Sequence, residues 1–378
     1  MPAALHTRAA VFYRASVIDA SMGAEVCALP RKKNLILDAG LDRVATEKWQ
    51  DCIRYAAAGS DATPTRRDSG AVTVSRAGTT LTASAGWFVP ADVGRLFKFN
   101  TGQEVKISAY TSATQVTTTT SGVIAASAGT MWSVNQTGLL AEIVRTNIYG
   151  TAGGDNSVTL EGGAGTITQR RTFVFAPETA LVTYREVGWS PDGVAGANLF
   201  GRDVLPGAGL TLVAGQQLKI VLDLVLTVEL LAPEAANTLP WAGGGTAQQQ
   251  LENIWWSEYF NPSSATGGSV FLSSSTDAFR TARVVEDASP GGPLAGVHYS
   301  VNPVAATYIA GSFERNFSGT FTVNDGNSAA IRSAGYGWFW YADLYPVLRI
   351  KFSAAQTKDS DHTLRLDFRH AWGRVLVN

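Results

Sequence analysis

The chain has 378 residues, 45% of them hydrophobic, enough to bury cores in two or three domains. Only 16% are charged, below the roughly 25% of typical soluble domains, and the net charge is −1. A phosphate-binding surface needs clustered Lys and Arg, so this balance excludes nucleic acid as an expected partner.

Met1-Pro2-Ala3-Ala4 lacks a basic stretch followed by an apolar one, so no secretory leader is expected. Residues 1–33 carry no clear period and read as an N-terminal arm or linker, with Arg31-Lys32-Lys33 as a solvated loop. In Asn34–Ala58, Leu41, Ala45, Trp49, Cys52 and Ile53 recur at helical spacing while Asp42, Glu47, Gln50 and Asp51 face away. That spacing predicts one amphipathic helix, capped near Asp38 and ended by Gly59.

Residues 71–134 read as short strands. Ala71–Val74 and Thr79–Thr82 flank a turn at Arg76-Ala77-Gly78; Leu96–Phe99 and Glu104–Ile107 flank Asn100-Thr101-Gly102, a hairpin-sized loop. Gln115–Thr119 and Met131–Val134 add two more strands, which suggests a small barrel or sandwich. Further on, Thr172–Phe175 and Leu181–Val187 are expected neighbours, and Arg170-Arg171 reads as another solvated loop. The strongest strand is Leu218–Leu230, with Leu218, Ile220, Leu222, Leu224, Leu226, Val228 and Leu230 at every second position. Its length calls for a central place or for cover by another subunit. Lys219, Asp223 and Glu229 within it rule out a membrane span, so no membrane insertion is expected.

Gly243-Gly244-Gly245 reads as a joint before a short helix, Gln248–Tyr259. At the end, Leu348–Phe352 and Leu364–Phe368 alternate strictly and are joined by Thr357–Asp361 into an expected hairpin. The fold class is therefore mainly β, with two or three antiparallel sandwich or small-barrel domains and one N-terminal amphipathic helix. The expected divisions are the arm at 1–33, a helix plus small β domain at 34–134 and a sandwich with the long central strand at 135–240. The last is a linker helix and β domain at 241–378, of which 341–378 can instead continue the sandwich.

The residues of chemistry are sparse. His6, His298, His362 and His370 lie far apart in sequence and form no metal-binding pair. His370 continues the alternation of Leu364, Leu366 and Phe368 and is expected on the core side of a strand. Cys27 and Cys52 fit no zinc pattern and read as two buried thiols. Gly162-Gly163-Ala164-Gly165 lacks the Lys-Ser/Thr of a phosphate loop and reads as a turn. Asp223 and Glu229 are six residues apart on one strand, about 20 Å, too far for a glycosidase pair. Asp38 and Asp42 fit capping and solvation. No catalytic, cofactor-binding or metal-binding residue is expected. Trp255-Trp256 and Trp338-Phe339-Trp340-Tyr341 are aromatic clusters able to pack a core, anchor an interface or stack on a sugar.

Several segments carry a likeness. Asn34-Leu35-Ile36-Leu37-Asp38-Ala39-Gly40-Leu41-Asp42, Tyr55-Ala56-Ala57-Ala58-Gly59-Ser60 and Thr63-Pro64-Thr65 form one set. Ala91–Leu96, Asn135–Leu139, Glu186–Ser190, Leu364–Phe368 and Trp372-Gly373-Arg374 form another. Together they resemble the virion structural proteins of tailed bacteriophages. The resemblance implies a homo-oligomeric tail fibre, baseplate or neck subunit acting through protein–protein contacts. Its partners would be copies of itself and other virion proteins, and its place the virion, assembled in the host cytoplasm. A receptor- or glycan-binding module that meets a host cell-surface glycan is the alternative. A glycan depolymerase is a third reading, against which stands the lack of a β-helix period. The resemblance brings no functional residues with it.

Overall fold

A computed structural model describes residues 3–47, 49, 51–147, 156–161, 166–196, 198–230, 237–238, 246–251, 281–285, 298–337 and 348–376. The chain opens with β1 (Ala3–Asp19), β2 (Glu25–Ala28), β3 (Lys32–Ile36), the six-residue helix α1 (Asp38–Arg43) and β4 (Tyr55–Gly59). A small sheet follows from β5 (Arg66–Asp68), β6 (Val74–Ala83), β7 (Leu96–Phe99), β8 (Glu104–Ser112), β9 (Gln115–Ser127) and β10 (Gly129–Trp132). Next come β11 (Glu142–Thr146), β12 (Asn156–Glu161), β13 (Thr166–Val174), β14 (Val182–Tyr184) and β15 (Glu186–Ser190). They lead to β16 (Gly201–Val204), β17 (Leu210–Leu212) and β18 (Gln216–Leu230). The last third supplies β19 (Asn237–Thr238), β20 (Thr246–Leu251), β21 (Thr281–Val285), β22 (His298–Val301) and β23 (Val304–Ala305). It ends with β24 (Glu314–Phe321), β25 (Ser328–Gly337), β26 (Leu348–Lys358) and β27 (Leu364–Arg374). The protein is mainly β, as its composition implies, and its sheets are open rather than closed barrels.

Residues 1–33, expected as an arm, instead hold the strand on which the large sheet is built. β1 pairs antiparallel with β18 from Leu5↔Leu230 to Asp19↔Gln216. Its other edge is shared by three strands in succession: parallel β27 along Ala3–Ala9, then β3 at Val11–Tyr13, then β2 at Ser16–Ile18. Ala9, Val11, Tyr13, Ala15 and Val17 point into the core opposite Leu226, Leu224, Leu222, Ile220 and Leu218, and each is at most 1% exposed. Burying an aliphatic side chain of Val or Leu size this fully contributes roughly 1.5–3 kcal/mol. The period of two was hard to read in β1 because Ala and Thr supply half of its inward positions. β13 lies on the far side of β18 and extends the core with Phe173 and Phe175.

The single helix expected over 34–58 is also corrected. Its apolar set does reach the core, since Leu41, Val44, Ala45, Trp49, Cys52 and Ile53 are all at most 1% exposed. Yet only α1 is α-helical, followed by a 3-10 turn at Asp51–Ile53, with β3 before it and β4 after it. Ala56, Ala57 and Ala58, good helix formers in isolation, are drawn into the sheet between β11 and β15. Their small side chains let three strands close over a fully buried row.

The small sheet runs β5-β10-β7-β8-β9-β6 and curls over its own core of Val74, Leu81, Phe88, Phe97, Phe99, Val105, Ile107, Val116 and Met131. The hairpin of β7 and β8 forms as expected, with Gly102 at φ +97 in its loop. The turn expected at Arg76-Ala77-Gly78 is a bulge inside the continuous β6, where Gly78 at φ +60 kinks the strand without reversing it. A second core of Leu35, Leu37, Ala57, Trp132, Val134, Leu139, Leu199 and Leu376 joins the small sheet to the large one.

Two strand partnerships and one helix differ from expectation. β13 pairs with β12 and β18, while β14 pairs with β17 and β15 with β4 and β16, so the 172–175 and 181–187 segments are not neighbours. β26 and β27 form no hairpin: β26 pairs with β25 and β20, and β27 with β24 and β1. Each half of the β24–β27 group leaves one sheet for another at the same corner, where Lys358 Nζ donates to Asn327 Oδ1 at 2.7 Å. The expected helix at 248–259 begins as strand β20; residues 252–259 lie outside the described residues.

Gly40 shows how tightly α1 is seated. A Cβ there would lie 2.4 Å from the Phe200 Cα. Gly→Ala inside a helix ordinarily gains up to about 1 kcal/mol. At this position overpacking reverses the sign, and Gly40→Ala should lose about 1–3 kcal/mol, measured by urea unfolding.

Candidate binding cleft

A cleft of about 490 Å³ opens where the start of β3 faces the small sheet. Arg31, Lys32, Lys33 and Leu35 come from the approach to β3 and from the strand itself, and Arg66 and Trp132 from β5 and β10. Asp203, Leu205 and Pro206 follow from β16 and the loop after it, and Leu376 from the segment after β27. Five separate stretches of chain thus build one concavity.

Its charges are partly matched. Lys32 Nζ lies 3.0 Å from Asp203 and also donates to Val204 O at 2.8 Å. Asp203 receives the Tyr13 hydroxyl at 3.1 Å. Burial raises the Asp203 carboxyl above its usual range, against the opposing pull of Lys32. Arg31 reaches out of the cleft to Asp223 at 2.8 Å and stacks over the Phe12 ring at 4.4 Å. The basic triplet read as a solvated loop is therefore built into the fold, with Lys32 and Lys33 opening strand β3. Arg66 lies with its guanidinium 5.8 Å from the Trp132 ring.

The second basic run is likewise structural. Arg170 makes a two-pronged contact with Asp223 at 2.7 and 3.0 Å, and the buried Arg171 donates to Ile53 O at 2.8 Å. Asp223 is thus answered by two arginines on the outer face of β18. Elsewhere Glu186 and Arg202, both with fully buried side chains, meet at 2.8 Å. Glu186 also accepts the backbone N–H groups of Leu140 and Ala141, at 3.1 and 2.7 Å. Arg202 holds Thr63 O and Gln136 Oε1. This pair pins two loops to the sheet. Asp38, read as a helix cap, makes no side-chain capping bond; it binds Lys106 at 2.6 Å and Arg374. Asp42 accepts the Tyr308 hydroxyl at 2.5 Å.

His370 stands on the core side of β27, as its alternation implies, and shares a hydrogen bond with Thr7 Oγ1 at 2.9 Å. His362 is exposed and pairs with Asp359 at 2.6 Å. Cys52 is buried, which pushes its thiol well up; Cys27, expected buried too, is exposed because β2 is an edge strand paired only with β1. Both are free thiols. Among the described residues, no group of three or more His, Cys, Asp or Glu is placed to hold a metal ion, and no helix is long and apolar enough to cross a membrane. The aromatic clusters Trp255-Trp256 and Trp338–Tyr341, and the Gly162–Gly165 turn, lie outside the described residues. Compared with known proteins, the chain matches no family model, no curated protein and no solved structure.

Removing one partner of a buried ion pair strands the other charge. Arg202→Met should therefore cost about 3–5 kcal/mol in guanidinium unfolding. Arg31→Ala leaves Asp223 its two-pronged Arg170 contact, and both arginines are about half exposed; its cost should stay below about 1 kcal/mol.

Burial, and then the nearby His6, pull the His370 pKa down to about 3. The native imidazole stays neutral while the unfolded chain takes up a proton near pH ~6.5. The unfolded state then binds the extra proton, so the stability present above that pH is lost as pH falls toward 3. The denaturant midpoint should drop steadily from pH 7 to pH 4, and a His370→Gln variant should show a flatter profile over that window.

Proposed function

We propose that this chain is a non-catalytic structural subunit of a tailed-phage virion, working through protein–protein contacts in a tail fibre, baseplate or neck. The resemblance segments support a framework role, because distant stretches of them pack on one another. β15 (Glu186–Ser190) pairs with β4 (Tyr55–Gly59) and is buried along its whole length. Trp372 Nε1 donates to Leu41 O at 2.8 Å, and Arg374 Nη1 to Ile36 O at 2.6 Å. Their side chains serve the interior, which is the behaviour of scaffold residues rather than of a reaction site.

One observation carries the assembly half of the reading. At one end of the large sheet, exposed Met22, Leu181 and Val213 stand on neighbouring turns, tied together by Ala20 N to Gly215 O and Gly215 N to Glu178 O. Leu181 is 72% exposed and Met22 74%. Isolated exposed apolar residues are ordinary, but a grouped set marks a contact surface. The glycan-binding alternative draws on the Trp clusters outside the described residues and gains no comparable support.

The test is sedimentation of the purified chain, with mass spectrometry of purified tailed-phage particles. A defined homo-oligomer that is also present in particles is expected. Replacing Leu181 and Val213 with Lys together should lower the oligomer mass while leaving the melting temperature within a few degrees. A stable monomer that turns over glycan defeats the proposal.

A further inference from the structure

We propose that the cleft holds a small organic anion, a carboxylate or phosphate on a partly apolar body, gripped by Lys33 of β3 and Arg66 of β5. This inference is independent of the virion reading. It starts from the cations that line the cleft. Arg31 is answered by Asp223 and Lys32 by Asp203. Among the described residues, neither Lys33 nor Arg66 has a carboxylate partner. Lys33 also lies near a like charge, Lys98; burial and then that repulsion push its ammonium down. Two cations that line one cleft without a carboxylate partner favour an anion that enters it.

Arg66 is directed as well as charged. Its guanidinium lies 5.8 Å from the Trp132 ring, and its planar fork suits the paired oxygens of a carboxylate or phosphate. Trp132 is 5% exposed, and its indole N–H has no hydrogen-bond partner among the described residues.

The rest of the wall selects the ligand's body. Leu35, Leu205, Pro206 and Leu376 are apolar, and Lys98 Nζ tethers Leu376 O at 3.1 Å, which holds that wall in place. The volume of about 490 Å³ suits a small molecule. A nucleic acid would need a long run of unmatched cations, and the cleft offers two, Lys33 and Arg66. A neutral sugar would need an open aromatic face, and Arg66 lies over that of Trp132.

Calorimetric titration of the full chain with benzoate, phenyl phosphate, inorganic phosphate and benzyl alcohol tests the proposal. One saturable site for benzoate or phenyl phosphate is expected, with inorganic phosphate and benzyl alcohol each at least about tenfold weaker. Whichever organic anion binds more tightly identifies the head group. Lys33→Gln and Arg66→Gln should each weaken binding about tenfold or more, with the unliganded melting temperature unchanged. Limited acetylation with acetic anhydride gives a second readout, in which the bound anion should protect Lys33 ahead of the other lysines. No saturable binding by either organic anion overturns the proposal. So does binding that survives both substitutions, or inorganic phosphate binding as tightly as phenyl phosphate.

Discussion

β1 has partners along both edges, and that double pairing is the constraint from which the large sheet follows. On one side it runs against β18 for fifteen residue pairs, from Leu5↔Leu230 to Asp19↔Gln216. On the other it takes β27, β3 and β2 in turn. A slip of one residue would turn Arg8 and Arg14 inward and Val11 and Tyr13 out, so the register is specified by every inward side chain at once. The same strand brings residues 3–9 beside 368–374, which closes the chain's first and last described strands onto each other. α1 is then clamped, with Trp372 on Leu41 O and Gly40 against the Phe200 backbone.

Around this sheet the buried charges work as pins. Glu186 and Arg202 hold the loops at 61–63 and 136–141 to β15 and β16, and Asp92 does the same within the small sheet through Arg67, Arg95 and Val89 N. Each of these acids is surrounded by donors, which fixes it in place. The contrast with the cleft is instructive. Packing between the two sheets includes Leu37, Leu199 and Trp132 and stops at Lys33 and Arg66. There charge is not fully matched, and a donor is left without an acceptor.

The chain's own pattern made part of this legible. Alternation at every second residue depends only on neighbouring positions, so β18, the hairpin of β7 and β8 and the core side of His370 could be read directly. The apolar residues of 34–58 were also legible as buried, although their backbone was not. Side-chain spacing says which groups seek the interior, and a short helix, a 3-10 turn and two strands can all deliver them there. β1 was hidden because Ala and Thr carry little hydrophobic signal until long Leu and Ile side chains stand opposite them.

Partner choice belonged to the tertiary structure. The 348–352 and 364–368 segments announce themselves as strands, but nothing local says that β26 joins one sheet and β27 another. The cleft was illegible for the same reason. Lys33, Arg66, Trp132 and Leu376 are unremarkable where they stand in the chain, and they meet only because long-range ladders bring β3, β5, β10 and the end of β27 together. Periodicity is a local property carried by each segment alone. Proximity between segments is set by which hydrogen-bond edges are left to pair once every apolar face is buried.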